Sequence, residues 1–345
     1  MAWGRAVTCR CHGPFTSPTY SAAVSSTRPA ARGPQVAWAR LPRSGPPGID
    51  MGAALTCPAR RRLALLLLLT LMLSACSPRL MLVRGMADQL AAQAQGQEDD
   101  LVLARDASPF YLKLSEAVLS EAPDHLALSE AVARGLTQYA YAFVAFEAER
   151  LQAHDARAAQ AQQERAARLY ARARRQALAT LLLHQPRLLQ DLATGEARVP
   201  AEQVGLAYWA AAAWAAQISL SKDQPDVVAD LPLAQRLAAA AWQAQPGHAQ
   251  GGLAALMGTL EAAMPGGRLD RAGQYFDQAV QFGAGRQAGV FVARAEALAL
   301  PAGDRAAFEG ALHQALAISR AHRDVGNEVM RLRAQWLLAS IDDLF

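Results

Sequence analysis

The chain has 345 residues and a formal net charge of +4, from 34 Lys and Arg against 30 Asp and Glu. The positive excess lies in residues 1–75, which hold nine Arg and one acid, Asp50, whereas residues 76–345 hold 25 Lys and Arg against 29 Asp and Glu. The larger part of the chain is therefore mildly acidic. It has no basic stripe with interleaved aromatic residues, so nucleic acid is excluded as an expected partner.

Residues 1–50 form a segment rich in Pro, Ser, Gly and Arg, a composition that is typical of disorder. A secretory signal has to stand at the N-terminus to be read, and one begins here at Met51. We therefore expect residues 1–50 to be a disordered leader that results from a mis-assigned start codon. The alternatives are a genuine leader and a transit-like peptide.

Residues 51–75 follow the order of parts of a secretory signal peptide. A positive region at 60–62 precedes the apolar run from Leu63 to Met72, and small residues follow it. The whole uncharged run is too short for a comfortable transmembrane helix, which needs about 20 apolar residues. An uncleaved anchor helix remains the alternative interpretation.

The end of this signal, Leu73-Ser74-Ala75-Cys76, resembles the lipobox of bacterial lipoproteins. The resemblance implies cleavage before Cys76 and acylation of that cysteine, which would anchor the chain in a membrane and leave it facing the periplasm. Of the four cysteines only Cys76 would remain after cleavage, which suits an oxidising compartment. Ser77 in place of Asp favours the outer membrane by similarity to the enterobacterial sorting rule. An incidental cysteine after an ordinary signal is the alternative.

Residues 76–98 are expected to hold a tether and a first helix, and residues 99–345 an all-α domain. Helix-forming Ala, Leu, Gln, Glu and Arg dominate, and no strand-like alternation is present. Pro and Gly predict the breaks between helices of about 12–22 residues. These breaks are Ser108-Pro109, Pro123-Asp124, Gly195, Pro225, Gly247, Pro265-Gly266-Gly267, Gly283-Ala284-Gly285, Pro301-Ala302-Gly303 and Gly326.

A small–large–small pattern recurs on one helical face of several segments. It occurs at Ala272/Phe276/Ala279, Ala166/Tyr170/Ala173, Phe308/Leu312/Ala315 and, more loosely, Leu233/Leu237/Ala240. This pattern is typical of the second helix of a tetratricopeptide repeat. The central positions Leu237, Phe276 and Leu312 are separated by 39 and 36 residues, which is close to the period of that repeat. The sequence thus predicts a tetratricopeptide-like helical repeat array, an α-solenoid. A generic Ala-rich helical bundle is the alternative.

The segment from Gly205 to Leu220 carries no charge over sixteen residues. A helix that is apolar all round is expected to be surrounded by other helices. One interpretation is a central core helix. The other is that Tyr208, Trp209 and Trp214 line an apolar cavity or channel.

We find no catalytic or metal-binding constellation in the sequence. The motifs of serine hydrolases, zinc proteases and P-loop enzymes are missing. No two of the six histidines after Cys76 stand three or four residues apart, which disfavours a metal site on a helix. The pairs Asp99-Asp100 and Asp342-Asp343 are expected to cap helices or face solvent. We therefore expect no enzymatic activity, no cofactor and no metal.

The order of several stretches resembles the T component of TRAP transporter systems, a family of tetratricopeptide lipoproteins. The stretches are residues 99–116, 135–144, 165–173, 208–214 and 334–345. The resemblance implies a periplasmic scaffold that docks the solute-binding protein of a TRAP system, has a capacity to self-associate, and passes a hydrophobic ligand through a helical pore. The candidate pore or docking residues that it implies are Phe110, Lys113, Tyr139, Tyr141, Tyr208, Trp209 and Trp214.

The sequence leaves two classes of function open. The first is the scaffold of a transport system, since a helical repeat array presents a concave binding face. The second is a stand-alone lipid- or solute-binding lipoprotein of the outer membrane. An enclosed apolar cavity and a co-encoded solute-binding protein are the features that discriminate between them.

Overall fold

The computed structural model describes residues 78–93 and 98–345, and every regular element in these ranges is helical. The α-helices are α1 Pro78–Gln93, α2 Leu101–Glu121, α3 Leu126–Ala140, α4 Phe146–Leu151, α5 Ala156–His184, α6 Leu188–Thr194, α7 Val204–Ser219, α8 Pro225–Val228, α9 Leu231–Ala244, α10 Gly252–Ala263, α11 Leu269–Phe282, α12 Ala288–Arg294, α13 Arg305–Ala321, α14 Val325–Ala339 and α15 Ile341–Leu344. The predicted all-α array is therefore confirmed. The leader, the signal peptide and Cys76 lie outside the described residues.

Aspartate side chains fix where several helices begin. Asp100, Asp155, Asp304 and Asp324 stand at the N-caps of α2, α5, α13 and α14, and each accepts a hydrogen bond from a backbone N–H of the first turn. Such caps satisfy donors that have no partner inside the helix. The capping role expected for the Asp99-Asp100 pair is confirmed at Asp100.

The break predicted at Ser108-Pro109 is wrong, because α2 continues through Pro109 from Leu101 to Glu121. The Ser108 hydroxyl donates to the carbonyl of Ala104, one turn earlier. Pro109 itself is exposed, so solvent can reach the backbone carbonyl that loses its helical partner there. Lys113 consequently lies in the middle of a long helix and not at its start.

Two π-helical segments interrupt the regular helices. Tyr141–Ala145 joins α3 to α4 without a break in the chain direction, and Ala295–Ala299 extends α12. A π-helical turn changes the angle at which the following side chains leave the helix, and such turns are frequent at functional sites. Both segments face the cavity described below.

The residues of the small–large–small pattern form the buried face of α5, α9, α11 and α13. Eleven of the twelve are 5% exposed or less, namely Ala166, Tyr170, Ala173, Leu237, Ala240, Ala272, Phe276, Ala279, Phe308, Leu312 and Ala315. Gly258 on α10 shows how closely the helices approach, because a Cβ atom there would lie 3.0 Å from the Phe276 ring. The small residues thus permit the close packing that the pattern predicted.

Helices that lie near one another in the chain pack together and form a layered array. Helix α3 packs on α5, α5 on α7, α7 on α9, α10 on α11, and α12 on α13 and α14. Three of the core clusters follow this order: the first joins α1, α2 and α3, the second is centred on α7 and α9, and the third lies among α11 to α14. Each layer therefore buries its apolar face mainly against its neighbours, as expected of a repeat array.

The array closes on itself, because the C-terminal helix α14 contacts the helices at the beginning of the domain. The rings of Phe146 and Trp336 meet edge to face with 5.7 Å between centroids, and the Tyr141 hydroxyl lies 3.9 Å from the Met330 sulfur. Arg323 forms an ion pair of 3.5 Å with Asp99. The inner helices therefore surround a central space.

Candidate functional site

A cavity of about 830 Å³ occupies the centre of the array. Its wall is formed by α4, α5, α7, α10, α12 and α14 together with both π-helical segments. This volume lies in the range of pockets that hold small organic ligands. We take the cavity as the candidate site.

About half of the residues in the cavity wall have small side chains. On α7 the residues that face the cavity are Tyr208, Ala212, Ala216 and Ser219, which follow helical spacing. Opposite wall positions on α10, α12 and the second π-helical segment are Gly252, Ala255, Thr259, Ala262, Gly289, Ala293 and Ala297, with Leu256, Val290 and Val292 between them. Alanine and glycine at these positions leave the space open, whereas larger side chains would fill it.

A cluster of charged residues lies at one part of the wall. The guanidinium of Arg333 binds Glu296 at 2.6 and 3.1 Å and Glu149 at 3.0 and 3.2 Å. Arg333 is only 7% exposed, whereas the carboxylate side chains are 28% and 41% exposed. Two forked ion pairs therefore hold one buried cation between helices that are far apart in the sequence.

Aromatic rings complete the surroundings of this cation. The guanidinium carbon of Arg333 lies 5.6 Å from the ring centre of Tyr141 and 5.4 Å from that of Phe146, distances at which a cation is attracted to a ring face. Burial acts to lower the pKa of Arg333, but its interactions with Tyr141, Glu296 and Glu149 outweigh burial, and the pKa is raised. Arg333 therefore remains charged.

Three tyrosines face the cavity, and burial raises the pKa of each. The pKa values of Tyr141 and Tyr170 lie well above the usual tyrosine range, and burial raises the pKa of Tyr208 to about 12. All three therefore present neutral phenols to the cavity. Tyr170 is only 2% exposed, and its phenol lies within electrostatic reach of Tyr141, Glu149 and Arg333.

The structure brings two of the candidate residues from the sequence to the cavity, Tyr141 and Tyr208. The Trp209 ring lies beside that of Tyr208, tilted, with 4.8 Å between ring centres, but it belongs to the neighbouring core. Trp214 is buried away from the cavity, and its ring nitrogen donates to Asp230 at 3.3 Å. Tyr139 contacts Phe143 at 5.4 Å between ring centres, outside the cavity wall.

Phe110 and Lys113 lie on the outer surface of α2. Phe110 is 76% exposed, and Lys113 pairs with Glu116 at 3.3 Å. Lys113 also lines a surface groove with Arg172 and Arg175 of α5. These two candidates therefore belong to an outer surface and not to the cavity.

Sequence reasoning missed the charged residues of the cavity. Arg333 and Glu149 are 184 positions apart, so their pairing leaves no local signal. One signal was present: Val329, Arg333 and Leu337 stand at spacing 4 on α14, so an arginine occupies the buried apolar stripe of that helix. A charged residue in such a position indicates a buried ion pair.

The described residues contain no group of three or more His, Cys, Asp or Glu placed to hold a metal ion. Within the same part of the chain, no helix combines the length and apolar character that crossing a membrane requires.

The fold and site define a class of protein: a closed array of helices with a central, mostly apolar cavity. The family model of the TRAP transporter T-component matches residues 97–345, and the chain belongs to this family. An uncharacterized protein of Treponema pallidum (strain Nichols) is 30% identical over 266 residues, which cover 72% of this chain and 81% of that protein. Membership implies a transport-associated role and a periplasm-associated location.

Proposed function

We propose that this chain is the membrane-anchored periplasmic scaffold of a TRAP-type solute transport system, which docks the solute-binding protein and receives an apolar ligand in its central cavity. The observation that carries the proposal is the cavity itself, which the closing contact of α14 with the start of the domain completes within one chain. A space of this size with largely small and apolar wall residues suits a solute, since ligand pockets in proteins have this size and character.

The anchor is the lipid that the sequence predicts on Cys76. Helix α1 begins at Pro78, two residues after Cys76 in the sequence, so the proposed lipid would hold the array near the membrane surface. Replacing Cys76 with Ser should move the protein from the membrane fraction to the soluble periplasm. Retention of Cys76→Ser in the outer membrane would overturn the lipid anchor.

The docking surface is the outer face of α2. Leu103, Ala107, Phe110, Leu114 and Ala117 form an exposed stripe at spacings of 4, 3, 4 and 3 residues. A contiguous apolar patch on the surface of a protein often marks an interaction site. Beside the stripe the groove of Lys113, Arg172 and Arg175 holds three cations around the single carboxylate of Glu116. An apolar anchor beside a positive groove suits a protein partner with an acidic rim.

Co-purification with the solute-binding protein of the same system tests the docking. We expect the pair to elute together and the double variant Phe110→Ala/Lys113→Glu to lose the partner. Leu183→Ala is the matched control, because Leu183 is an exposed leucine on α5 outside the stripe. Equal loss in the control, or no loss in the double variant, would contradict the docking surface. The mass of the eluted assembly also reports whether the chain self-associates.

The alternative function is a stand-alone lipid- or solute-binding lipoprotein. It is favoured by the same cavity, because the described residues form it without a second chain. Recovery of a bound small molecule with no protein partner from native membranes would support this alternative against the scaffold.

A further inference from the structure

The charged cluster of the cavity has a net charge of −1 and a surplus of hydrogen-bond acceptors. Arg333 gives four hydrogen bonds to the two carboxylates. A guanidinium has five N–H donors, so little donor capacity remains, whereas each carboxylate offers about four acceptor sites and uses two on Arg333. The partly exposed oxygens of Glu149 and Glu296 therefore remain available to a donor that enters the cavity.

Tyr170 adds an independent observation at the same wall. Its side chain is almost fully buried, it lines the cavity, and its phenol lies within electrostatic reach of Glu149 and Arg333. A neutral phenol hydroxyl can both donate and accept a hydrogen bond. The face of a tyrosine ring also attracts cations. Tyr170 thus extends the polar part of the wall toward a ligand group that is positive or donates hydrogen bonds.

The remainder of the cavity suits a hydrocarbon. Ala212 and Ala216 of α7 face Ala255 and Leu256 of α10 in a wall that offers few polar atoms. Lys222, in the turn after α7, is the second cation of the wall, but it is exposed to solvent, where its charge is screened. Glu296 is less exposed than Lys222, so its carboxylate contributes more to the charge that a deeply bound ligand meets.

We propose that the cavity selects amphiphiles with a cationic amine head and an apolar tail, with the head against Glu149, Glu296 and Tyr170. The tail lies along the alanine-rich wall of α7 and α10. This inference rests on the proposed function only in treating the cavity as a ligand site. It is independent of the docking of a partner protein on α2.

Displacement of a bound neutral fluorescent probe, N-phenyl-1-naphthylamine, from the purified full-length protein tests the selection. Decylammonium, decanol and decanoate share one tail and differ in the charge of the head. We expect decylammonium to displace the probe at about tenfold lower concentration than decanoate, with decanol between them, a ratio equal to about 1.4 kcal/mol. Equal or stronger displacement by decanoate would overturn the amine head while leaving the cavity as a ligand site. Failure of the probe and all three ligands to bind would overturn both assignments.

Two variants connect the selection to the residues that carry it. Glu149→Gln removes the net charge but keeps the pair of Arg333 with Glu296, and we expect it to reduce the preference for decylammonium about fivefold. Tyr170→Phe should weaken decylammonium binding about threefold and leave probe binding unchanged. The control is Glu147→Gln, which lies on the same short helix outside the cavity wall and pairs with Arg150 at 3.5 Å. An equal effect of Glu147→Gln would show a general charge effect and contradict the proposal.

Discussion

The wall of the central cavity and the outer face of α2 both carry aromatic residues, but in opposite settings. In the cavity, tyrosines stand among alanine and glycine, and the charge of Arg333 is neutralised by two carboxylates of the chain itself. On α2 the large apolar side chain of Phe110 projects into solvent beside cations that outnumber their carboxylate. The difference is the basis of our proposal that the inner surface receives a small molecule and the outer surface a macromolecule.

The largest difference between the interior of the array and the outer face of α2 is expected in the free energy of unfolding when a phenylalanine is truncated to alanine. Phe276→Ala removes a fully buried ring from the contact with Gly258 and should lower the free energy of unfolding by about 3–5 kcal/mol. Phe110→Ala removes a ring that is already in solvent and should change stability by less than about 0.5 kcal/mol. Chemical denaturation of both variants checks this difference, and a large destabilisation by Phe110→Ala would mean that α2 has a buried partner.

Removal of the buried cation gives the next largest effect. Arg333→Met leaves Glu149 and Glu296 without their counter-charge and should destabilise the fold by about 3 kcal/mol. Adding Glu149→Gln and Glu296→Gln should recover part of this loss. The control is Arg268→Met, because Arg268 and Asp270 form an equally short but exposed pair at 2.6 Å. We expect no measurable change there. Equal effects of the two arginine variants would show that burial of the cluster is unimportant.

Filling the cavity should affect ligand binding more than stability. Ala212→Phe on α7 projects a ring into the space and should reduce the affinity for an apolar fluorescent probe about tenfold or more. Ala107→Phe adds the same ring to the exposed face of α2 and should leave probe affinity unchanged. Fluorescence titration compares the two, and unchanged binding by Ala212→Phe would place the probe outside the cavity.

The smallest effect concerns the buried phenols at alkaline pH. Tyrosine in an unfolded chain titrates near 10, whereas the pKa of Tyr208 is raised by burial to about 12. Between these values the unfolded state holds fewer protons, so stability falls as the pH rises. Thermal unfolding between pH 8 and 11.5 should show a shallower decrease for Tyr208→Phe than for the unchanged chain. Parallel curves would contradict the burial of this phenol.

The sequence predicted the architecture well because helical spacing is a local property. Ala272, Phe276 and Ala279 recur at intervals that define one face of a helix, and this face is buried in α11 as expected. The break predicted at Pro109 failed for an equally local reason, since α2 accommodates the proline at an exposed position. The assignment as tetratricopeptide repeats remains a prediction.

The site was predicted only in part because it depends on long-range contacts. Tyr141 and Tyr208 were candidates and do face the cavity. Tyr170 was assigned only to helix packing, although it contributes both to packing and to the cavity wall. The π-helical segments that place Tyr141 and Glu296 near Arg333 have no recognisable sequence signal. Closure of the array by α14 brings these residues together, and no spacing within one helix could indicate it.

Native mass spectrometry of the full-length protein, produced with its solute-binding protein and released from membranes, tests the account most directly. We predict a complex that contains the partner and a small amphiphile. Phe110→Ala/Lys113→Glu should lose the partner and keep the small molecule, whereas Ala212→Phe should lose the small molecule and keep the partner. Loss of both components in either variant, or of neither in both, would contradict the separation of an inner ligand site from an outer docking surface.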